Sequence, residues 1–258
     1  MTTTPKIELI DVHMRFGDKV VLDGVDLVVE AGESMVVIGG SGVGKSVTLK
    51  IVLGLLTPTS GTVLVDGQDV TRLSGREREA VNRKFGMLFQ GAALFDSLSV
   101  WQNVAFSLIQ GHGADREVAR KVAAEKLAAV GLGDDVAALY PDELSGGMKK
   151  RVALARAIAA EPEIIFFDEP TTGLDPIMAD VIDALIVKCV RDLGATALSI
   201  THDMISARRI ADRVAMLYKG KIIWTGPIAD IDDSGNAFVD QFVNGSADGP
   251  IQMEVRAL

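Results

Sequence analysis

Three stretches in the first part of the chain, "KIELIDVHMRF", "VVLDGVDLVVE" and "GTVLVDG", alternate apolar and polar residues and are punctuated by Gly and Asp. A period of two puts one face on a core and the other in water, so these stretches predict antiparallel strands. A second pattern follows. "SMVVIGG", "IIFFDEP" and "TALSITHD" are short, wholly apolar runs, each followed by helical periodicity. Strands covered on both faces read this way, so the three runs predict the buried parallel strands of an α/β core. From about Gly91 to Ala160 the pattern is mostly helical, "DREVARKVAAEKLAAVGL" included. That stretch predicts a helical lobe inserted into the core. There are no repeats and no low-complexity segments.

Composition narrows the picture. At 258 residues and 48% hydrophobic, the chain can bury a sizeable core in one large domain or two coupled lobes. The single cysteine, Cys189, lies in "MADVIDALIVKCVRDLG", whose spacing predicts a packed helix. It reads as a core thiol of a reducing compartment, with no intrachain disulfide. The N-terminal "MTTTPKIELIDVHMRFGDK" has no basic start followed by an apolar run and so does not read as a secretory signal. No stretch approaches the ~18 uninterrupted apolar residues of a membrane helix. A net charge of −9 counts against broad electrostatic association with nucleic acid or anionic lipid. The mean hydropathy of +0.28 hints at apolar surface reserved for a partner.

The sharpest chemical signal is "VVIGGSGVGKS": a buried strand, then Gly39, Gly40, Ser41, Gly42, Val43, Gly44, Lys45 and Ser46, then the helical "VTLKIVLGLL". Glycines let backbone N–H groups turn toward phosphate oxygens, Lys45 reaches the outer phosphates, and the Ser46 hydroxyl ligates Mg²⁺. In "EIIFFDEP", Asp168 ends a buried strand where it can hold Mg²⁺, and Glu169 can polarise an attacking water. The bland alternative is an acidic strand end capping the next helix. His202, in "SITHD", ends another apolar strand, where ligands gather in open α/β sheets, and can hydrogen-bond a γ-phosphate. His13, in a strand, and His112, in the turn "QGHGAD", read as structural or solvated. Gln90 closes "FGMLFQ" at the lobe boundary, where a neutral amide can bind Mg²⁺ or the attacking water as the lobe swings. A second anion-shaped turn, "LSGGM", opens another amphipathic helix at 144–157.

The ordered set "GGSGVGKS", "FQ" at 89–90, "LSGGM", "IIFFDEP", "GLDP" at 173–176 and "THD" at 201–203 resembles the ATP-binding subunit of an ABC transporter over nearly the whole chain. The resemblance implies a P-loop NTPase of the ABC ATPase fold, an α/β single domain over 1–258. A mixed-sheet, RecA-like core with its N-terminal antiparallel β subdomain spans 1–90 and 161–225, the inserted helical subdomain 91–160, and a C-terminal extension 226–258. It also implies ATP as nucleotide, Mg²⁺ as cofactor, and a head-to-tail homodimer with two ATP molecules sandwiched. Each P-loop is then covered by the signature turn of the second chain. By that pattern Phe16 matches the aromatic that stacks on adenine. Ser145, Gly146 and Gly147 match the signature contacts to the opposing γ-phosphate, and Asp175 matches the residue communicating between sites. Phe16 departs from the common Tyr and keeps the stacking ring. Val47 departs from the frequent Thr and removes a hydroxyl beside Ser46.

A finer resemblance, carried by "GKSVTLK", "GMLFQGAALFDSLSVWQNVAFSL", "TTGLDPIMAD" and "ADGP" at 247–250, is to the ATPases of MCE-type lipid transporters. It implies two transmembrane permease subunits, a periplasmic MCE-type lipid-binding protein and in some systems a small STAS-domain protein. It places the chain peripherally on the cytoplasmic face of an inner membrane, moving phospholipid between membranes. The rivals are an importer ATPase for amino acids or metal ions, which would share every catalytic residue, and a soluble ABC ATPase acting on nucleic acid or ribosomes. The acidic charge, the single cassette and the lack of a long heptad insertion count against the second; membrane co-purification discriminates. Leu94, Phe95, Leu98, Val100 and Trp101 either line a groove for a permease helix or pack the helical lobe internally. The tail "VNGSADGPIQMEVRAL" is too rich in Gly and Pro for an isolated helix; it either frays or docks Pro250, Ile251 and Met253 on the partner ATPase.

Overall fold

The computed structural model describes residues 4–252. From the N-terminus the chain forms β1 (Ile7–Phe16), β2 (Lys19–Val29) and β3 (Ser34–Ile38), then α1 (Lys45–Val52), β4 (Ser60–Val65), β5 (Gln68–Asp69), α2 (Gly75–Asn82) and β6 (Phe85–Leu88). Three helices follow: α3 (Val100–Gln110), α4 (Arg116–Ala129) and α5 (Gly146–Ile158). The remainder alternates β7 (Ile164–Asp168), α6 (Pro176–Leu193), β8 (Thr196–Thr201), α7 (Met204–Ile210) and β9 (Arg213–Tyr218), before β10 (Lys221–Pro227) and α8 (Ala237–Asn244).

The alternating stretches make one antiparallel sheet, β2-β1-β4-β5, and the apolar runs make a second, β10-β9-β3-β8-β7-β6. In the second sheet every pairing is parallel except that of the edge strand β10 with β9. Successive side chains on its strands point to opposite faces. Val36 and Ile38 of β3, with Ile165 and Phe167 of β7, join a core shared with α3–α8. Met35, Val37, Ile164 and Phe166 join another, shared with α1 and the antiparallel sheet. The second sheet therefore divides two cores. That is why its strands carry no alternation and the N-terminal strands do.

Strand order sets up the site. β3, β8, β7 and β6 are neighbours and run the same way, so Ile38, Thr201, Asp168 and Leu88 end on one edge. Each apolar run thus delivers its polar ending to the same place.

In the helical lobe, Ser99 and Gln102 form a capping box at the start of α3. Asn103 is fully buried; its side chain accepts from the Phe95 amide (2.7 Å) and donates to the Leu98 carbonyl (2.9 Å), fixing the 95–99 segment. The five apolar residues there divide. Val100 is fully buried, and Leu94 and Trp101 pack against the first core. Arg116 and Arg120 lie over the Trp101 ring. Leu98 is half-buried, and Phe95 stays exposed, its ring tilted against Phe106 at 4.5 Å.

After α8 the chain turns at Gly245, and among the described residues, which end at 252, no helix resumes. Gln241 of α8 clasps the tail: its Nε2 donates to the Ile251 carbonyl (3.0 Å) and its Oε1 accepts from the Ile251 amide (2.6 Å). Ile251, expected to fray or reach a partner, packs on its own chain's core; Met253 lies outside the described residues. Cys189 is buried on α6.

β6 approaches α5 so closely that a Cβ at Gly86 would strike the Ala157 carbonyl oxygen and sit 2.9 Å from Pro162 Cγ. Gly86→Ala should therefore destabilise the protein by about 1–3 kcal/mol through overpacking. The measurement is a urea melt, with a lower midpoint at unchanged slope.

Candidate nucleotide site

The phosphate loop leaves β3 at Ile38 and enters α1 at Lys45. Gly39 (φ +150°) runs so close to β9 that a Cβ would strike the Leu217 carbonyl, and Gly44 (φ +114°) caps α1 in the left-handed region. Side chains at either position would force the loop open. Gly40 and Val43 are half-buried, Ser41 and Gly42 exposed. Lys45 folds back under this loop, with Nζ donating to the carbonyls of Gly39 (2.8 Å) and Gly40 (3.0 Å). Burial holds its pKa below the usual lysine value, opposed by the neighbouring Glu169 carboxylate. Phe16, half exposed at the end of β1, shares an open groove of about 310 Å³ with Gly42 and residues 44–47. The adenine and phosphate candidates therefore adjoin. Val47 packs on the second core. The next hydroxyl, Thr48 Oγ1, is committed to the Gly44 carbonyl (3.1 Å) and does not replace the missing one.

Ser46 Oγ lies 3.4 Å from Asp168 Oδ1, so two hard oxygen donors face each other between β3 and β7. Burial first, then the adjacent Glu169, raises the Asp168 pKa, while the Ser46 hydrogen bond, Lys50 and Lys45 oppose the shift. A carboxylate in that position is one a divalent cation would relieve. The described residues hold no group of three or more His, Cys, Asp or Glu side chains able to bind a metal. One carboxylate, one hydroxyl and the phosphates of a nucleotide are the donor set that suits Mg²⁺. Gln90 is exposed, and the tie seen at this position is through its backbone: its carbonyl accepts from Lys150 Nζ (2.5 Å).

Glu169 is the node of the site. Its φ is +48°, a conformation costing a non-glycine residue on the order of 1–3 kcal/mol; its amide donates to the Ile200 carbonyl of β8 (3.0 Å). Oε2 accepts from Thr172 Oγ1 (3.1 Å) and lies 2.8 Å from His202 Nδ1. Oε1 lies 3.7 Å from Lys45 Nζ. The ends of β3, β7 and β8 therefore converge on one carboxylate. The sequence places His202 facing phosphate; here its Nδ1 is engaged by Glu169. Sequence reasoning missed two residues. Thr172 orients the carboxylate, and Lys150, buried on α5, joins the Gln90 carbonyl to that of Glu169 (3.5 Å). A lysine among the apolar positions of α5 was the available signal.

The remaining candidates gather elsewhere. Ser145 caps α5, accepting from the Met148 amide (3.3 Å); it and Gly146 are exposed, while Gly147 is buried against Met178. Asp175 caps α6, accepting from the amides of Ile177 (3.1 Å) and Met178 (3.0 Å). Among the described residues no hydrogen bond or ion pair joins 144–148 to 39–47. His13 is held by Asp11 at 2.9 Å, a structural arrangement.

A phosphate loop, an acidic strand end and a histidine on three adjacent parallel strands, with a helical lobe whose last helix is opened by a second glycine turn, define a P-loop ATPase of the transporter type. The family profile described as ABC transporter matches residues 22–172, and the chain belongs to that family as an ATP-binding, ATP-hydrolysing subunit. Among curated relatives, it is 41% identical to the intermembrane phospholipid transport system ATP-binding protein MlaF of Haemophilus influenzae, over 97% of this chain and 95% of that protein. It is 43% identical to the chloroplastic protein TRIGALACTOSYLDIACYLGLYCEROL 3 of Arabidopsis thaliana, over 95% of this chain and 75% of that one. Among solved structures, a dimeric post-hydrolysis ATP-binding cassette bound to ADP and Pi superposes with a TM-score of 0.79 at 33% identity, covering 86% of this chain and 98% of the other. No described helix is long and apolar enough to cross a membrane.

Proposed function

We propose that the chain is the ATP-driven motor of a phospholipid transporter. It works as a head-to-tail homodimer on the cytoplasmic face of an inner membrane, beneath two transmembrane permease subunits. These act with a periplasmic MCE-type lipid-binding protein, and a small STAS-domain protein is a further candidate partner. The observation that carries the substrate class is the 41% identity to a phospholipid transport ATPase over 97% of this chain and 95% of that protein.

In this reading Lys45 leaves the Gly39 and Gly40 carbonyls for the outer phosphates as the loop amides close around them, with Phe16 stacking on the base. That exchange frees Oε1 of Glu169 to accept a proton from the attacking water, while Thr172 and His202 hold Oε2. Ser46, Asp168 and Gln90 would hold Mg²⁺, which when bound neutralises charge on the phosphate oxygens. Ser145, Gly146 and Gly147 of one chain cover the nucleotide of the other, and Asp175 links the two sites. The lobe at 91–160 moves about Gln90 relative to the core at 1–90 and 161–225, and Phe95 is part of the surface it offers the permease.

The test is reconstitution of the chain with its permease and MCE-type partners in vesicles, following transfer of a fluorescent phospholipid. Transfer should require ATP and vanish with Lys45→Ala, which should weaken ATP binding by about ten- to a hundredfold through loss of a charged hydrogen bond. ATP-dependent movement of an amino acid or metal ion, with none of phospholipid, would overturn the substrate class.

A further inference from the structure

Behind the Glu169 loop lies a buried polar chain that nucleotide binding does not use. Asp183 of α6, Ser206 of α7 and Thr171 of the loop are each at most 5% exposed. Ser206 Oγ donates to Asp183 Oδ2 at 2.7 Å and is 3.0 Å from Thr171 Oγ1. With the Ser206 proton committed to the carboxylate, Thr171 is the donor in the second bond. The other carboxylate oxygen, Oδ1, is buried without a protein partner.

The three residues join segments that each present part of the site. Thr171 lies two residues beyond Glu169. Ser206 is in the first turn of α7, whose cap, Asp203, follows His202. Asp183 is on α6, whose cap is Asp175. We infer that Asp183, in its charged form, is a positioning residue for hydrolysis: through Ser206 and Thr171 it locks the Glu169 loop to the two helices that present His202 and Asp175, and so sets kcat without touching nucleotide. The inference rests on the assignment of Glu169 as base under Proposed function.

The electrostatic setting fits. Burial pushes the Asp183 carboxyl up to about 6, opposed by the Ser206 hydrogen bond; Asp203 of α7 and Asp180 of α6 add to the rise, and Arg209 of α7, itself paired with Asp180, opposes it. The loop presents only the Thr171 hydroxyl, because the Glu169 carboxylate turns to Thr172 and His202. The folded-state pKa lies above the unfolded value, so this group's favourable contribution is complete below pH ~4 and is lost as pH rises through about 6. At neutral pH the charge opposes folding, yet it accepts the hydrogen bond that anchors the loop carrying Glu169. Stability given up for geometry is the arrangement expected beside a reacting group.

An asparagine here keeps an acceptor for Ser206 and places an amide where the proton of a neutral acid would sit, so Asp183→Asn imitates the protonated site. The experiment measures MgATP turnover of the full-length chain from pH 5.5 to 8.5, with melting temperature alongside. Asp183→Asn should lower kcat about tenfold at pH 8, leave KM for ATP within twofold, and remove the wild-type limb near pH 6. Its melting temperature at pH 8 should equal or exceed that of wild type. Ser206→Ala should reproduce the kcat loss and Ser206→Thr restore it. An Asp183→Asn protein with wild-type kcat and pH profile would overturn the inference, as would a kcat loss accompanied by a raised KM and a lower melting temperature. Glu169→Gln is assayed in parallel: wild-type turnover there would remove the base assignment, whereas an inert Asp183→Asn beside a dead Glu169→Gln would remove only the positioning role.

Discussion

Glu169→Gln should cut ATP turnover by about 10²–10⁴-fold while leaving nucleotide affinity close to that of the parent. The amide keeps the shape of the carboxylate and can still accept from Thr172 Oγ1, a bond seen here at 3.1 Å. What it loses is the capacity to take a proton from water at the oxygen facing Lys45. Because the change removes a charge 3.7 Å from the Lys45 ammonium, it also frees that lysine for phosphate, so ATP affinity should hold or rise. The measurement pairs single-turnover hydrolysis with equilibrium binding, and size-exclusion should find ATP accumulated in a closed dimer. Turnover near wild type would reject Glu169 as the base.

The second large effect is an all-or-none count of sites. Lys45→Ala disables the phosphate loop, and Gly146→Asp puts a carboxylate where an opposing γ-phosphate is to sit, so each homodimer has both sites damaged. A mixed dimer has one site with both faults and one with neither. Gly146 is the right place for the change, because a Cβ there would meet only Leu174 Cδ2 at 3.8 Å, whereas at Gly147 it would come within 2.7 Å of Met178 Sδ. Mixed, permease-bound dimers made in a Glu169→Gln background should therefore trap one ATP where neither parent traps any. The trapping readout avoids any dependence of turnover on cooperation between sites. Verified mixed dimers that trap no more than their parents would refute the sharing of sites between chains.

The parts of this site that were legible in the sequence share one property: each lies at or after the end of a short, mostly apolar strand. A run such as "SMVVI" or "IIFFD", five residues long and bounded by Gly or Pro, reads as a buried parallel strand, and a glycine loop or carboxylate at its end then lies on the sheet's carboxyl edge. Lys45, Asp168, Glu169 and His202 fall under that rule. Thr172, Lys150 and Asp183 do not. Their contacts come from side-chain directions in the loop after β7 and across α5, α6 and α7, and Asp183 sits in an ordinary helical sequence whose neighbours give no sign that its carboxylate meets Ser206 of another helix. The place of Ile251 was not legible for a related reason. The tail's Gly and Pro content reads as non-helical, as residues 245–252 are, but Ile251 is held by Gln241 on the preceding helix, ten residues back, a side-chain-to-backbone pairing that no periodic pattern announces. Short edge elements such as β5, only two residues long, also leave too little pattern to read.

The order of the second sheet has a consequence for biosynthesis. β3, which carries the phosphate loop, is flanked by β8 and β9, and Val36 pairs with Ser199 and Val214. A ribosome that has released everything through α6 has already made the glycine loop, the signature turn and both acidic residues. It has not yet made either neighbour of β3. The apolar strand "SMVVI" then has no sheet to enter, and the loop it supports cannot take its nucleotide-binding shape. ATP capture should thereby be deferred until β8 and β9 have emerged, so a chain stalled after α6 should carry the phosphate motif yet bind no nucleotide, a difference that equilibrium binding to a chain truncated after residue 193 would read.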